Sequence, residues 1–410
     1  MQNNDENDVR PKSQFYKYAA INFAFFITMT FNGYVVVFLQ SIGFNAQQVG
    51  TITALNSGVG IFASPFWGTL SDKLRSLKKV IILALTVASL LFVLVPFVSR
   101  LSVWGISLLF VLLPVTMFFR MPLMSLIDNW MLRNARAEKL NYGSLRAYGA
   151  LSFALAAFAL GYIIPLIGVD YVFYISIIFA LPAIYLMVFV KGSEDDAASA
   201  KKSISFKEMQ IGQLFKNYYL ITYIIFTIFL RIPFQGSMIF LPFLIDEVGG
   251  DIAQLGIIMG LRALVEIPVM MIFNRLRQRF PLYMLIIVSA ALFAVEFILY
   301  STVSTFTMVI ALSMLHGVAN GLTIPAGASY VFSLAPEHLK ATAQTIMAST
   351  TSIAGILGGL IGGLLIAMFS IMQFYLVIGI MLALATILYA ASFTIGERLL
   401  KIKKPGLSLL

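Results

Sequence analysis

Seven ionisable side chains interrupt otherwise apolar stretches of this sequence; they are Arg120, Asp128, Arg146, Arg231, Arg262, Glu266 and His316. An ionised side chain in hydrocarbon costs roughly 2.5–3.5 kcal/mol even on the lenient insertion scale, so such groups normally face a partner or a water-filled cavity. Arginine keeps its charge and presents a planar donor fork, whereas carboxylates and imidazole exchange protons. The pattern predicts a polar pathway through a membrane.

The acids and the histidine are the candidates for proton exchange. Arg262 and Glu266 are four residues apart on one predicted helix and therefore share a face. Because breaking a carboxylate–arginine pair changes the proton affinity of the acid, Asp128 and Glu266 are predicted to serve proton coupling. His316 is a third candidate, since the pKa of an unperturbed histidine is near 6.5. The alternatives are a static ion pair between each acid and an arginine, and a packing role for His316. Glu296, in another apolar stretch, is expected to face a neighbouring helix or lipid and is given no role.

The arginines outnumber the probable cavity acids. Four arginines against two acids leave the pathway positive, and guanidinium suits carboxylate or phosphate. An anionic substrate, best an organic acid, is the resulting hypothesis. The predicted substrate-binding residues are Arg120, Asp128, Arg146, Arg231 and Arg262. Helix packing or lipid-headgroup contacts are the alternative roles for Arg120 and Arg231.

Composition places these residues in a membrane protein. Hydrophobic residues make up 60% of the chain, charged residues 11%, and the mean hydropathy is +0.92; a soluble chain carries about 25% charged residues. The net charge of +10 does not indicate nucleic acid, because the basic residues cluster at the ends of the apolar stretches on one side. The absence of cysteine excludes disulfides and thiolate metal sites.

Windows of about 20 apolar residues predict twelve transmembrane helices. They cover residues 18–40, 47–70, 79–98, 103–131, 142–164, 168–190, 218–244, 252–273, 281–301, 305–333, 341–368 and 372–395. The first window is too long for the core of a signal peptide. Of the 28 Lys and Arg, Arg100 is the only one in the loops on one side, so the positive-inside rule predicts that both termini are cytoplasmic.

The predicted helices form two groups of six. The predicted segments are an N-terminal tail (1–17), a six-helix bundle (18–190), a cytoplasmic linker (191–217), a second bundle (218–395) and a C-terminal tail (396–410). Gly43 and Gly50 bracket the turn before helix two, and Gly249 and Gly256 bracket the equivalent turn at a constant offset of 206 residues. A parallel duplication of a six-helix unit explains this offset and places a substrate site near the membrane midplane.

The loop between helices two and three carries a recognisable motif. It reads Gly68-Thr-Leu-Ser-Asp72-Lys73-Leu-Arg75-Ser-Leu-Lys78-Lys79. Glycine permits a close helix approach, the aspartate can cap and pair at a helix end, and the basic run anchors the loop at the cytoplasmic face. The predicted gating residues are Gly68, Asp72, Lys73, Arg75, Lys78 and Lys79, acting as a latch between the halves; an ordinary basic loop is the alternative. The motif resembles the signature of the major facilitator superfamily.

Further segments narrow the resemblance. Pro122 to Asp128, Tyr142 to Phe153, Val265 to Pro268, Leu315 to Gly317 and Pro336 to Gln344 are similar to the branch that contains phenylpropionate permeases, nucleoside-proton symporters and lactose permease. The resemblance implies an all-α membrane fold with two pseudo-symmetric six-helix bundles. It also implies that Asp128 and Arg146 form a substrate-responsive pair, with a purely structural ion pair as the alternative.

These observations predict a secondary transporter rather than an enzyme. The sequence has no P-loop, zinc-protease motif or serine elbow. We expect proton-coupled uptake of a small organic solute by alternating access, in a monomer in the plasma membrane, with the proton gradient as energy source and no cofactor, metal or nucleic acid. Efflux by proton antiport, symport of a neutral nucleoside or sugar, and a non-transporting receptor are the alternatives.

Overall fold

A computed structural model describes residues 6–103, 105–190, 211–336 and 339–402. The chain divides into two units, one formed by Met1–Phe44 and Leu55–Lys201 and the other by Asn45–Ala54 and Lys202–Leu410. Most of the predicted 191–217 linker lies outside the described residues. The assignment of Asn45–Ala54 to the second unit was not predicted, since the hydropathy windows carry no information on which helices pack together.

Nine α-helices follow one another in the described residues of the first six predicted spans. They are α1 (Glu6–Thr30), α2 (Val35–Ser41), α3 (Ala46–Leu74), α4 (Leu77–Val93), α5 (Val95–Val98), α6 (Leu109–Arg120), α7 (Leu123–Ala137), α8 (Tyr142–Ile167) and α9 (Tyr171–Phe189). In the first unit α1 packs along α8 and α9, and α4 packs against α6, α7 and α9. The core of this unit combines aliphatic side chains with large aromatic ones, including Tyr18, Phe25, Trp67 and Trp130.

Three predicted spans of this half are divided in the structure, and the third span is divided at Leu94 between α4 and α5. The first is divided by a 3-10 turn at Phe31–Tyr34 between α1 and α2. The fourth, predicted from residue 103, begins only at Leu109, because β1 (Ser102–Val103) and β2 (Ile106–Ser107) form a short antiparallel hairpin before it. It is also interrupted after Arg120, where Pro122 precedes α7. Proline cannot continue a helical hydrogen-bond ladder, and a hydropathy average does not detect such interruptions.

After a 3-10 helix at Ile211–Lys216, six α-helices make up the rest of the second unit among the described residues. They are α10 (Tyr218–Glu247), α11 (Ile252–Arg279), α12 (Leu282–Tyr300), α13 (Phe306–Leu334), α14 (Lys340–Met368) and α15 (Ile371–Arg398). The α12 helix packs against α13 and α15, α11 packs against α13, and α10 packs against α14 and α15. Most of these helices begin at a polar cap; for example, the Asn217 side chain accepts hydrogen bonds from the first turn of α10.

Eleven helical segments among the described residues are long and apolar enough to cross a membrane. The twelve predicted spans correspond to these eleven and to α3, which is equally long but less apolar. Many large hydrophobic side chains lie on the surface, including Phe62, Leu166 and Leu388. Such an apolar surface is the one expected where lipid is the solvent.

The predicted internal repeat is visible in local geometry. Gly43 and Gly249 both have positive φ, +90° and +74°, a conformation that favours glycine. Two residues later, Asn45 and Gln48 exchange backbone-to-side-chain hydrogen bonds at the start of α3. Asp251 and Gln254 make the same reciprocal capping box at the start of α11, again offset by 206 residues. The two halves therefore repeat a turn and a cap, not only a hydropathy profile.

Candidate functional site

Asp128 and Arg146 meet in the first unit, as the short connection between α7 and α8 predicts. Arg146 Nε lies 3.4 Å from Asp128 Oδ1, and both side chains keep about a third of their surface exposed, 37% for Arg146 and 31% for Asp128. The guanidinium also lies over the ring of Phe26, 4.1 Å from its centroid, and Tyr142 neighbours both charges. The pair is accessible and polar, as a contact for a polar solute must be.

Arg120 is enclosed within the first unit. It is 3% exposed, donates a hydrogen bond from Nη2 to the main-chain carbonyl of Thr28, and lies 4.4 Å from the Phe92 ring centroid. Thr28 lies in the last turn of α1, where helix carbonyls lack intrahelical partners. These contacts support the packing alternative, in which Arg120 stabilises the end of α1, and the substrate contact stays a prediction. The sequence predicts that this charge is buried, but it cannot predict a main-chain partner, because every residue carries a carbonyl group.

Arg262 is buried in a network that joins α11, α12 and α13. Its Nη2 lies 3.3 Å from Glu296 Oε1 and donates to the Tyr300 hydroxyl at 3.2 Å. His316 Nδ1 lies 3.2 Å from the other carboxylate oxygen, Oε2, of Glu296. Glu296 is 0% exposed, so its charge is compensated entirely by protein groups.

This network corrects the pairing predicted from helical spacing. Arg262 pairs with Glu296 and not, as expected, with Glu266, whose Oε2 accepts a hydrogen bond from Asn320 Nδ2 at 2.8 Å. The role of Glu296 was missed because its partner lies on another helix, at no regular spacing. A rule that every intramembrane acid needs a partner would have singled it out.

Arg231 faces a cavity of about 330 Å³ inside the second unit. The polar side chains in its lining come from α10, α13 and α14, and they are Tyr223, Thr227, Arg231, Thr323, Gln344 and Thr351. Gly327 leaves room for the Tyr223 hydroxyl, since a Cβ there would lie 2.5 Å from that oxygen. Arg231 Nε is buried without a hydrogen-bond partner among the described residues. A concave site of this size, with several hydrogen-bonding groups, suits a small polar ligand.

The basic motif after α3 makes its clearest contact within its own unit. Lys78 Nζ donates to the carbonyls of Val188 and Val190, at 3.1 and 2.9 Å, and so caps the C-terminal end of α9. Arg75 has φ +50° where α3 ends, and the space around a Cβ at Gly68 is open. Among the described residues no atom lies within 4 Å of that Cβ, and Asp72, Lys73 and Lys79 are exposed, so the latch between the halves stays a prediction.

Replacing Lys78 by methionine is expected to lower the free energy of unfolding by about 1–2 kcal/mol, because two orphan carbonyls lose a charged donor. Thermal unfolding of the purified protein measures this loss. Lys79→Met, at an exposed neighbouring position, is the matched control and should change stability by less than about 0.5 kcal/mol. Equal effects of the two substitutions would contradict the capping role.

Comparison with known proteins settles the family. The model of the MFS_1 like family matches residues 15–377. The chain belongs to the MFS_1 like family. This MFS_1 like protein is therefore a multi-pass membrane transporter of the major facilitator superfamily and not an enzyme, as predicted. It is 27% identical to the uncharacterized transporter YwbF of Bacillus subtilis over 82% of each chain. It is 26% identical to a maltose permease of Geobacillus stearothermophilus over 81% of this chain and 82% of the permease.

A solved structure supports the fold of this MFS_1 like transporter. The crystal structure of the nucleoside transporter NupG superimposes with a TM-score of 0.78 at 15% identity, covering 93% of this chain and 99% of NupG. At this identity the match speaks for the fold alone. The predicted all-α membrane architecture of the major facilitator type is confirmed.

Proposed function

We propose that this transporter takes up a small neutral sugar together with protons. The observation that carries the proposal is the charge balance of the arginines. Arg146 pairs with Asp128, Arg262 pairs with Glu296, and the Arg120 guanidinium is occupied by a main-chain carbonyl. The arginines left to bind an anionic substrate therefore fall from two, Arg120 and Arg231, to Arg231 alone.

The polar groups that remain suit hydroxyl groups of a neutral solute. The cavity lining combines hydroxyl, amide and guanidinium groups from three helices of the second unit, and the exposed Asp128–Arg146 pair offers both acceptors and donors in the first. A carboxylate and a guanidinium that neutralise each other can each hydrogen-bond a hydroxyl without burying net charge. The relative named a maltose permease supports a saccharide as the substrate class.

Arg231 favours a second candidate, an organic acid. The structure describes no acid beside this side chain, and its Nε has no hydrogen-bond partner among the described residues. A carboxylate in the cavity would give it a charge-assisted hydrogen bond. Whether the site prefers an anionic or a neutral substrate thus depends on the Arg231 guanidinium. Transport of the two kinds of substrate can therefore separate the candidates.

Proton coupling and orientation complete the proposal. Asp128, Glu266 and His316 remain the proton-coupling candidates from the sequence, and the positive-inside pattern supports cytoplasmic termini in the plasma membrane. Transport would proceed by alternating access. Coupling to an inward proton gradient would let a neutral sugar accumulate against its own gradient.

Purified transporter in proteoliposomes tests the proposal with labelled maltose and, in parallel, labelled lactate. Under an inward proton gradient we expect at least tenfold accumulation of maltose and alkalinisation of the outer medium when maltose is added. Accumulation of lactate and not maltose would establish the organic-acid alternative. Proton movement in the opposite direction would indicate antiport, and no movement of either solute would reject both substrate classes.

A further inference from the structure

We propose that His316, held by Glu296, is the proton-binding site of the second unit and that α10 links it to the Arg231 cavity. This inference rests on the proposed proton-coupled function. Within the second unit it narrows the two candidates, Glu266 and His316, to one imidazole and assigns Glu296 the role of holding that imidazole in place.

The hydrogen-bond pattern determines where a proton can bind. Glu296 is fully buried and faces Arg262, so its carboxylate acts as an acceptor on both oxygens. The imidazole contact at Oε2 therefore requires a hydrogen on His316 Nδ1, which leaves Nε2 as the acceptor for an incoming proton. Protonation makes the side chain an imidazolium whose charge faces Glu296, and no other bond forms or breaks.

The surroundings can stabilise the charged imidazole. The Phe234 ring stacks on it at a centroid distance of 5.3 Å, and Phe293 meets it edge-on at 5.0 Å. A cation over an aromatic face gains electrostatic energy, more so when water is excluded. Both rings also exclude bulk water from the imidazole, and because this exclusion disfavours an isolated charge, the adjacent Glu296 carboxylate must supply the compensating charge.

Each helix around the site contributes a defined group. The α11 helix presents Arg262, α12 presents Glu296 and Tyr300, and α15 presents Tyr375, whose hydroxyl bonds the main chain of α10. With neutral imidazole the guanidinium and carboxylate charges balance. A bound proton raises the net charge to +1 and places Glu296 between two cations, which weakens its hold on Arg262. Binding of the proton thus favours rearrangement of the network.

One face of α10 joins this network to the cavity. Arg231 lies in the cavity lining, Phe234 stacks on His316, and the Met238 sulfur accepts a hydrogen bond from Arg262 Nη1 at 3.3 Å. These residues follow at i, i+3 and i+7 and therefore lie along one side of the helix. On α13, His316 and Thr323 are related in the same way, one at the proton site and one in the cavity. A solute that shifts α10 therefore shifts the stack on the imidazole.

The test compares two activities of each variant: counterflow, which needs only exchange of the solute, and accumulation, which needs coupling to the proton gradient. In proteoliposomes with labelled maltose, His316→Gln is expected to keep counterflow within about twofold of wild type and to lose at least tenfold in accumulation under a proton gradient. Glu296→Gln should behave in the same way. His338→Gln, which removes the only other histidine of the chain, is the control and should accumulate maltose as wild type does.

Two transport results would overturn the inference. One is full accumulation by His316→Gln, and the other is an equal loss of counterflow and accumulation in a folded variant, which would assign the residue to structure alone. His316→Gln keeps the Arg262–Glu296 pair, so this arm remains informative if Glu296→Gln fails to fold.

A proton count makes the inference testable without a substrate. In the His338→Gln background His316 is the single histidine, and removing it should cost one bound proton between pH 8 and pH 5. An unchanged count would refute the site directly. If wild type does not transport maltose, the sugar proposal fails and this count alone decides the proton site.

Discussion

Replacing Arg262 by leucine is expected to lower the free energy of unfolding by about 3–5 kcal/mol, because it leaves the Glu296 carboxylate buried without its cation. Both partners are almost completely buried, with 6% and 0% of their side-chain surface exposed. Arg262→Leu also removes the donor to Tyr300. Unfolding of the purified protein, followed by denaturant titration, measures the loss.

The double variant Arg262→Leu with Glu296→Leu should recover most of this stability while uphill transport stays lost. Removing both charges leaves no ion without a partner, and buried pairs replaced by apolar residues are often neutral in stability. Arg146→Leu is the matched control, since its pair with Asp128 is partly exposed and should contribute no more than about 1 kcal/mol. A loss at Arg146 as large as that at Arg262 would refute the burial argument.

Replacing Gly50 by alanine is expected to cost about 1–3 kcal/mol in stability and to reduce transport at least tenfold. Inside the second unit, the first turns of α3 pack on α14 so closely that a Cβ at Gly50 would lie 2.2 Å from the main-chain oxygen of Gly359. A backbone atom cannot turn away as a side chain can, so the segments must separate, and overpacking of this kind is destabilising.

Gly68→Ala on the same helix is the control for Gly50→Ala. Nothing lies within 4 Å of a Cβ at Gly68, and alanine is a better helix former than glycine, so stability should stay equal or rise by up to about 1 kcal/mol. Thermal unfolding and maltose counterflow measure both variants. Similar stabilities of the two variants would show that the contact between Gly50 and Gly359 is not required for the folded state.

Patterns that repeat along the chain were readable from the sequence. The apolar windows predict the spans because every backbone polar group in lipid must be satisfied within a helix. The offset between Gly43 and Gly249 predicts the internal repeat, and the structure shows the same positive φ at both. The proximity of Asp128 and Arg146 was also predictable, since a short connection forces α7 and α8 to run side by side.

Only the tertiary structure decided which groups compensate which charges. Spacing along one helix suggested Glu266 as the partner of Arg262, but the ion pair forms with Glu296 on α12 because α11, α12 and α13 pack together. Arg120 donates a hydrogen bond to a main-chain carbonyl, and Arg231 lines a cavity. The sequence by itself determined that this is a membrane transporter with ionisable groups in its spans, since hydropathy and helical period are local properties. Their roles depend on contacts between distant helices, which only packing in three dimensions determines.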